Sequence, residues 1–284
     1  MELIRFLRLS STNMLFLTEL MLKGLPVGAL LFVDTSIKKF IYSVGQITLL
    51  ALQGFIGILV PPFNLKLVLR EIDNFGAGSL LLVNLIALFT GMVMALQTIY
   101  GLSMYGAEMY VGSVVSLTLV RELGPVMTSI MVGARVGSGI AAEIGAMQVT
   151  EQIDAMRALG ASPVKKLVTP KIIAALITVP LLTVSADVVG IFGGMIIAVF
   201  ELEIGRTFYV NSILDTITIS DLLSGIGKTL FFGIIITIVG CFFGLRTSGG
   251  TTGVGRSTTV TVVTTSILIL ISDFFLTKLF LILF

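Results

Sequence analysis

Histidine is absent from this chain of 284 residues, and cysteine occurs once, at position 241. The first absence excludes a histidine-ligated metal and a histidine general base, and the second excludes a disulfide framework. Cys241 stands in an apolar run, where a buried and inert thiol is expected. Charge is scarce as well: 12% of the residues are Asp, Glu, Lys or Arg, against about a quarter in soluble domains. A net charge of +2 is too small to argue for nucleic acid as a partner. What is there instead is apolar, with 56% hydrophobic residues and a mean hydropathy of +1.09. That balance belongs to a membrane protein.

Crossing about 30 Å of hydrocarbon takes roughly 20 helical residues. Five apolar runs reach that length, at about 77–100, 111–133, 167–200, 223–245 and 259–283. A sixth run, 40–60, differs: Ser43, Gln46 and Gln53 fall with Lys39 on one helical stripe. This favours an amphipathic helix lying in the interface over a sixth crossing. The N-terminus, MELIRFLRLSSTN, has no uninterrupted apolar core or small-residue cleavage site and reads as retained. Met14–Val33 is apolar but carries Glu19, Lys23 and Pro26. It is compatible both with lying in the interface and with dipping into the membrane.

Basic residues then set the orientation. Segment 1–75 holds seven Lys/Arg, the connection 134–171 holds five, and 246–256 holds two with no acid. The connection 201–221 has four acids against Arg206, and the first loop on that side carries Glu108. Five crossings with the N-terminus inside put all three basic segments on the cytoplasmic side and the C-terminus outside.

The stretch GGTTGVGRST, 249–258, nearly fits a phosphate-binding loop at Gly250, Gly255, Arg256 and Ser257. Such a loop needs a buried strand before it and a helix N-terminus after it inside a soluble α/β domain. Here both flanks are membrane-crossing runs, and Arg256 replaces the lysine. No acid ends an apolar strand to hold Mg²⁺. The stretch is read as a flexible inside loop entering the last span, and the chain is not expected to hydrolyse ATP.

The longest inside connection, 142–171, reads AEIGAMQVTEQIDAMRALGASPVKKLVTPK. Thr150 is a candidate N-cap, Glu151 and Asp154 are acids of a first turn, and Gly160 followed by Pro163 is a stop. A short helix at about 151–159 follows, with Ile153, Met156 and Leu159 near one face. Periodicity leaves two readings open, a helix lying flat on lipid or a coupling helix seated in a cytoplasmic ATPase.

A charged pair stands inside a span: Arg121-Glu122-Leu123-Gly124-Pro125. A charge at mid-membrane costs about 2.5–3.5 kcal/mol on insertion scales, so such residues face a cavity or a partner. Pro125 removes the hydrogen bond to the carbonyl of Arg121 and leaves a polar kink. Sequence neighbours point about 100° apart on a helix, so the two need not pair with each other. A kink held by local salt bridges and a headgroup-sensing site both fit. Asp187, Asp273 and Lys278 lie in or near spans, with packing or interface anchoring as their expected role. The spacings Gly133-x-x-x-Gly137, Gly190-x-x-x-Gly194 and Gly240-x-x-x-Gly244 permit close helix contacts.

The run 116–183 resembles the MlaE/YrbE permeases of Mce-type lipid transporters. RELGPV at 121–126, GARVGSGIAAEIGAMQVTEQIDA at 133–155 and the prolines that follow fall in family order. TTGVGRSTT resembles that family's last inside loop, and Asp154-Ala155…Leu159-Gly160 resembles the loop through which importer permeases meet their ATPases. The likeness covers about residues 39–284, with 1–38 as an extension. It implies an all-α membrane protein of five transmembrane helices, an N-terminal interfacial elbow helix and a short cytoplasmic coupling helix. It implies a homodimer in the bacterial inner membrane that moves phospholipid between inner and outer membranes. The implied partners are a cytoplasmic ATPase that uses the ATP, a periplasmic Mce-domain (MlaD-like) protein and a STAS-domain (MlaB-like) protein, with no cofactor or metal in this chain. Arg121 and Glu122, with Met94 and Gln97, become the lipid-binding residues. Glu151, Gln152, Asp154 and Arg157 become ATPase contacts, with Ile153 and Met156 filling its groove. The rival readings are a small-solute ABC importer, a non-transporting membrane scaffold, and ion-driven secondary transport, the last weakened by the lack of obvious inverted repeats.

Overall fold

A computed structural model describes residues 27–59, 65–202 and 204–283, and all regular structure among them is helical. The extension's first 26 residues, with most of the Met14–Val33 reading, lie outside the described residues. The chain divides into two compact units, 1–49 and 50–284. The described part of the first is a stretch of helix α1, Val27–Leu59, in which the Gln46 side-chain amide donates to the Tyr42 hydroxyl at 2.9 Å.

The second unit is a bundle of helices. Helix α2 covers Leu65–Ser103. A continuous helical column follows: α3 Val111–Thr118, a π turn Leu119–Leu123, α4 Gly124–Val132, a second π turn Gly133–Gly137 and α5 Ser138–Val149. The short α6 spans Gln152–Ala158, and a third π turn, Val164–Val168, leads into α7, Thr169–Leu202. Helices α8 Arg206–Thr216, α9 Ile219–Leu245 and α10 Gly250–Leu283 complete it. The long runs are helices because, inside hydrocarbon, every backbone N–H and C=O must be paired within the protein.

Six helical stretches are long and apolar enough to cross a membrane, within Ile41–Ile58, Leu65–Ser103, Glu108–Val149, Val164–Glu201, Ile219–Leu245 and Gly250–Leu283. The last five contain the five expected spans, extended at their ends. The sixth coincides with the run read as an interfacial helix, and only 6% of its window is buried, against 61% for α9. Helix α9 is therefore the most enclosed of them, and its side chains Phe232, Ile236, Val239 and Cys241 lie in the core. Cys241 is fully buried, as its apolar setting implied.

Three local expectations are corrected. Thr150 does not cap the short helix: it closes α5, its hydroxyl donating back to the carbonyl of Ala146 at 2.8 Å. Glu151 takes the turn instead, at φ 59°, the left-handed region that a non-glycine residue enters at some cost. The GGTTGVGRST stretch is not mainly a loop, because α10 begins at Gly250 and most of the stretch is its first two turns. The C-terminal stop of α6 does hold. Gly160, at φ 74°, donates to the carbonyl of Arg157 while Ala161 donates to that of Met156, the paired bonds of a Schellman ending.

Helices α2 and α7 meet through glycine. A Cβ on Gly91 would overlap the carbonyl of Gly190, so the two backbones touch where side chains would normally intervene. Gly91→Ala is expected to lower the melting temperature of the purified protein by several degrees, the effect of about 1–3 kcal/mol of overpacking. Gly101→Ala, at a position with nothing within 4 Å of the added carbon, is the control and should leave it unchanged. Equal melting of the two variants would show that this crossing is not tightly packed.

Candidate functional site

Arg121 and Glu122 sit together in the first π turn, and that turn explains how they are deployed. The amide of Gly124 donates to the carbonyl of Leu119, five residues back, rather than four. Pro125 has no N–H to offer, so the carbonyl of Arg121 lacks a helical donor. Lys228, on α9, supplies one: its Nζ donates to that carbonyl at 3.0 Å. The polar kink expected from Pro125 is thus closed by a cation from another helix.

The two charges then point to different neighbours. Arg121 forms a close ion pair with Asp221 in the first turn of α9. Asp221 is itself locked, accepting from the backbone N–H and hydroxyl of Thr218 at 2.8 Å each as part of a capping box. Glu122 accepts from Lys228 Nζ at 2.6 Å and from the Thr277 hydroxyl on α10 at 3.2 Å. Lys228 also donates to Thr277 Oγ1 at 2.6 Å and lies 3.2 Å from Asp273, near enough to attract it although Asp273 Oδ1 is not aligned as a hydrogen-bond acceptor. Lys228 is fully buried, whereas the Arg121 and Glu122 side chains are 42% and 38% exposed.

This exposure faces a cleft of about 360 Å³ between the column and helices α9 and α10. Its lining is polar at Thr118, Arg121, Glu122, Ser220, Asp221, Ser224 and Thr277 and apolar at Leu117, Phe280 and Leu281. Such a cleft offers a cation, carboxylates and hydroxyls together with apolar surface, the requirements of an amphiphile. Gly225 makes it possible, because a side chain there would collide with the carbonyl of Val120 and push α9 away from the π turn.

The structure does not bring Met94 and Gln97 to this cleft. Met94 packs on the cluster of Ala95, Val111, Val115, Leu119, Ala198 and Tyr209, and Gln97 is exposed elsewhere on α2. Lys228 and Asp221, which complete the network, were missed by the sequence reading. The signal for Lys228 was present: a lone lysine within an apolar run obeys the same rule that singled out Arg121. Asp273 gains a specific role as a counter-charge to Lys228.

Around α6, Glu151, Gln152, Asp154 and Arg157 are exposed, and Arg157 pairs with Asp154 at 2.8 Å on that surface. Ile153 is fully buried within its own chain and is not available to fill a partner's groove. Met156 is half-buried, while Leu159 is 85% exposed.

The buried lysine generates a sharp test. Lys228→Met removes the counter-charge of Glu122 and Asp273 together and the donor to the Arg121 carbonyl. Breaking a buried pair by removing one partner costs about 3–5 kcal/mol, so this variant should melt far earlier or fail to accumulate. Glu122→Gln leaves Lys228 paired with Asp273 and preserves a carbonyl acceptor, so its melting point should stay close to that of the unaltered protein. Equal melting of Lys228→Met and unaltered protein would show that the network does not hold the helices.

Residues 68–279 match the family model described as Permease MlaE. A probable ABC transporter permease protein of Rickettsia felis is 43% identical over 242 residues, covering 85% of this chain and 93% of that protein. One from Synechocystis is 42% identical over 224 residues, covering 79% and 85%. The chloroplastic protein TRIGALACTOSYLDIACYLGLYCEROL 1 of Arabidopsis thaliana is 35% identical over 249 residues, covering 88% and 71%. With a match over most of its length, the chain belongs to the MlaE family of ABC-transporter permeases.

Proposed function

We propose that this permease moves phospholipid between the inner and outer membranes of a bacterium, receiving the lipid headgroup in the Arg121–Glu122 cleft. The observation that carries the reading is the half-exposed charge of Arg121 and Glu122 at a cleft that is also lined by Leu117, Phe280 and Leu281. An arginine holds a phosphate through two parallel N–H donors, and Asp221 keeps its side chain oriented. The name of the Arabidopsis relative refers to a glycerolipid, which supports the same substrate class. A small-solute importer has no use for the apolar lining.

The energy comes from a separate ATPase subunit, as the relatives' description as ABC transporter permeases suggests. Helix α6 is its docking point, in a topology of five crossings with α1 as an interfacial elbow, the N-terminus cytoplasmic and the C-terminus periplasmic. The charge bias of the connections supports this orientation. The working unit is a homodimer, with an Mce-domain protein on the periplasmic side and a STAS-domain protein on the ATPase. Because Ile153 is buried, the apolar contact with the ATPase passes to Leu159 and Met156.

Two experiments test this. Arg121→Lys keeps the charge beside Asp221 but loses the planar fork. Bound phospholipid per purified chain, measured by mass spectrometry, should fall about tenfold for loss of one charge-assisted contact, with melting little changed. Unchanged occupancy would remove Arg121 from the site. For docking and orientation, single cysteines at Leu159 and Asn211 are introduced in a Cys241→Ser background. They should label from opposite faces of the membrane, with Leu159 protected once the ATPase is bound. Labelling from one face refutes the topology, and an unprotected Leu159 refutes the docking.

A further inference from the structure

A second charged cluster lies far from the first. Lys171, at the start of α7, is almost wholly buried, and its Nζ donates to Glu71 of α2 at 2.7 Å and to Glu143 of α5 at 2.6 Å. Arg135, in the second π turn, reaches across α2, where its Nη1 donates to the hydroxyl of the buried Ser79 at 3.0 Å and to the carbonyl of Asn74 at 3.3 Å. Its guanidinium lies so close to Gly78 that a Cβ there would overlap it. Glu71, Asn74, Arg135, Glu143 and Lys171 line a cleft of about 310 Å³.

The charges are not equivalent. Lys171 bonds one oxygen of each carboxylate from within, but Arg135 has no ion-pair partner among the described residues and remains exposed. Serine and a backbone carbonyl orient the guanidinium without neutralising it, and its Nε and Nη2 donors make no hydrogen bond within the described chain. Glu143, bonded to Lys171 through Oε2 only, stays 54% exposed at the same cleft. A fixed cation and a half-exposed carboxylate therefore share one opening. Arg135 follows Arg121 by fourteen residues of the same column, about 21 Å along a helix. Against a hydrocarbon about 30 Å thick, the two arginines therefore stand at clearly different depths.

We infer that this cleft is a second phospholipid site, which takes a zwitterionic headgroup with its phosphodiester on Arg135 and its ammonium toward Glu143. The chemistry follows from the pair. A phosphate suits an oriented guanidinium whose charge is unspent, and the neighbouring carboxylate favours a headgroup that also carries a cation over one that is purely anionic. The inference needs only that the chain lies in a bilayer and does not depend on transport through the Arg121 cleft.

The test uses the full chain in vesicles of equal phosphatidylethanolamine and phosphatidylglycerol, with a photoreactive version of each lipid in turn and the labelled peptides mapped by mass spectrometry. Phosphatidylethanolamine should label residues 70–75 and 135–143, and Arg135→Gln should reduce this about tenfold, the loss of one charge-assisted contact. Glu143→Gln should keep the labelling and abolish the preference over phosphatidylglycerol. Should Arg135→Gln melt early, Arg135→Lys keeps the charge and the reach to Ser79 but not the fork, and a smaller loss at unchanged melting is expected. Absence of label from these peptides overturns the inference, as does labelling that neither arginine variant changes. Displacement of the label by excess inorganic phosphate also overturns it, since the site would then belong to a free phosphate. Label at residues 117–122 reports the first cleft separately, so the two assignments can fail independently.

Discussion

The burial of Lys228 constrains everything around it. A full positive charge with no exposure, on the most enclosed helix, must be matched by groups from other helices. It takes Glu122 and a free carbonyl from the π turn, and Asp273 and Thr277 from α10. Three segments distant in sequence are thereby fixed at one level. Between helices in lipid there is no hydrophobic drive to do this, so polar contacts and close backbone packing set the arrangement. The cleft is the solvent-facing margin of the same network, which is why its two residues are only half exposed.

Much of the fold was legible because hydropathy in a membrane chain reports directly on helix length. Helices long and apolar enough to cross a membrane cover all five expected runs, and a sixth covers the run read as interfacial. Arg121 and Glu122 were legible for the converse reason: a charge in an apolar run is expensive enough to require a purpose. Lys228 carried the same signal, but standing alone it drew no attention beside a charged pair.

The rest was hidden for physical reasons. Thr150 looks like a helix cap by residue type, yet a threonine hydroxyl can equally bond backward to a carbonyl of the preceding turn, and here it does so with Ala146. The apolar edge of α6 was visible, but amphipathicity does not say whether its counterpart is a partner or the same chain. For Ile153 it is the same chain. Met94 joined the lipid-binding set with no contact to place it there, and it packs in a different cluster. The π turns leave no periodic trace, since each adds a single residue to an otherwise regular run.

Those turns also settle how the column behaves as a mechanical part. A straight helix from Val111 to Val149 would be a rod, passing a push at one end unchanged to the other. This one is interrupted at Leu119–Leu123 and at Gly133–Gly137, the kind of place where helices bend. Arg121 stands in one of these interruptions and Arg135 in the other. Both arginines are thus carried by the places where the rod is interrupted, not by its regular pieces.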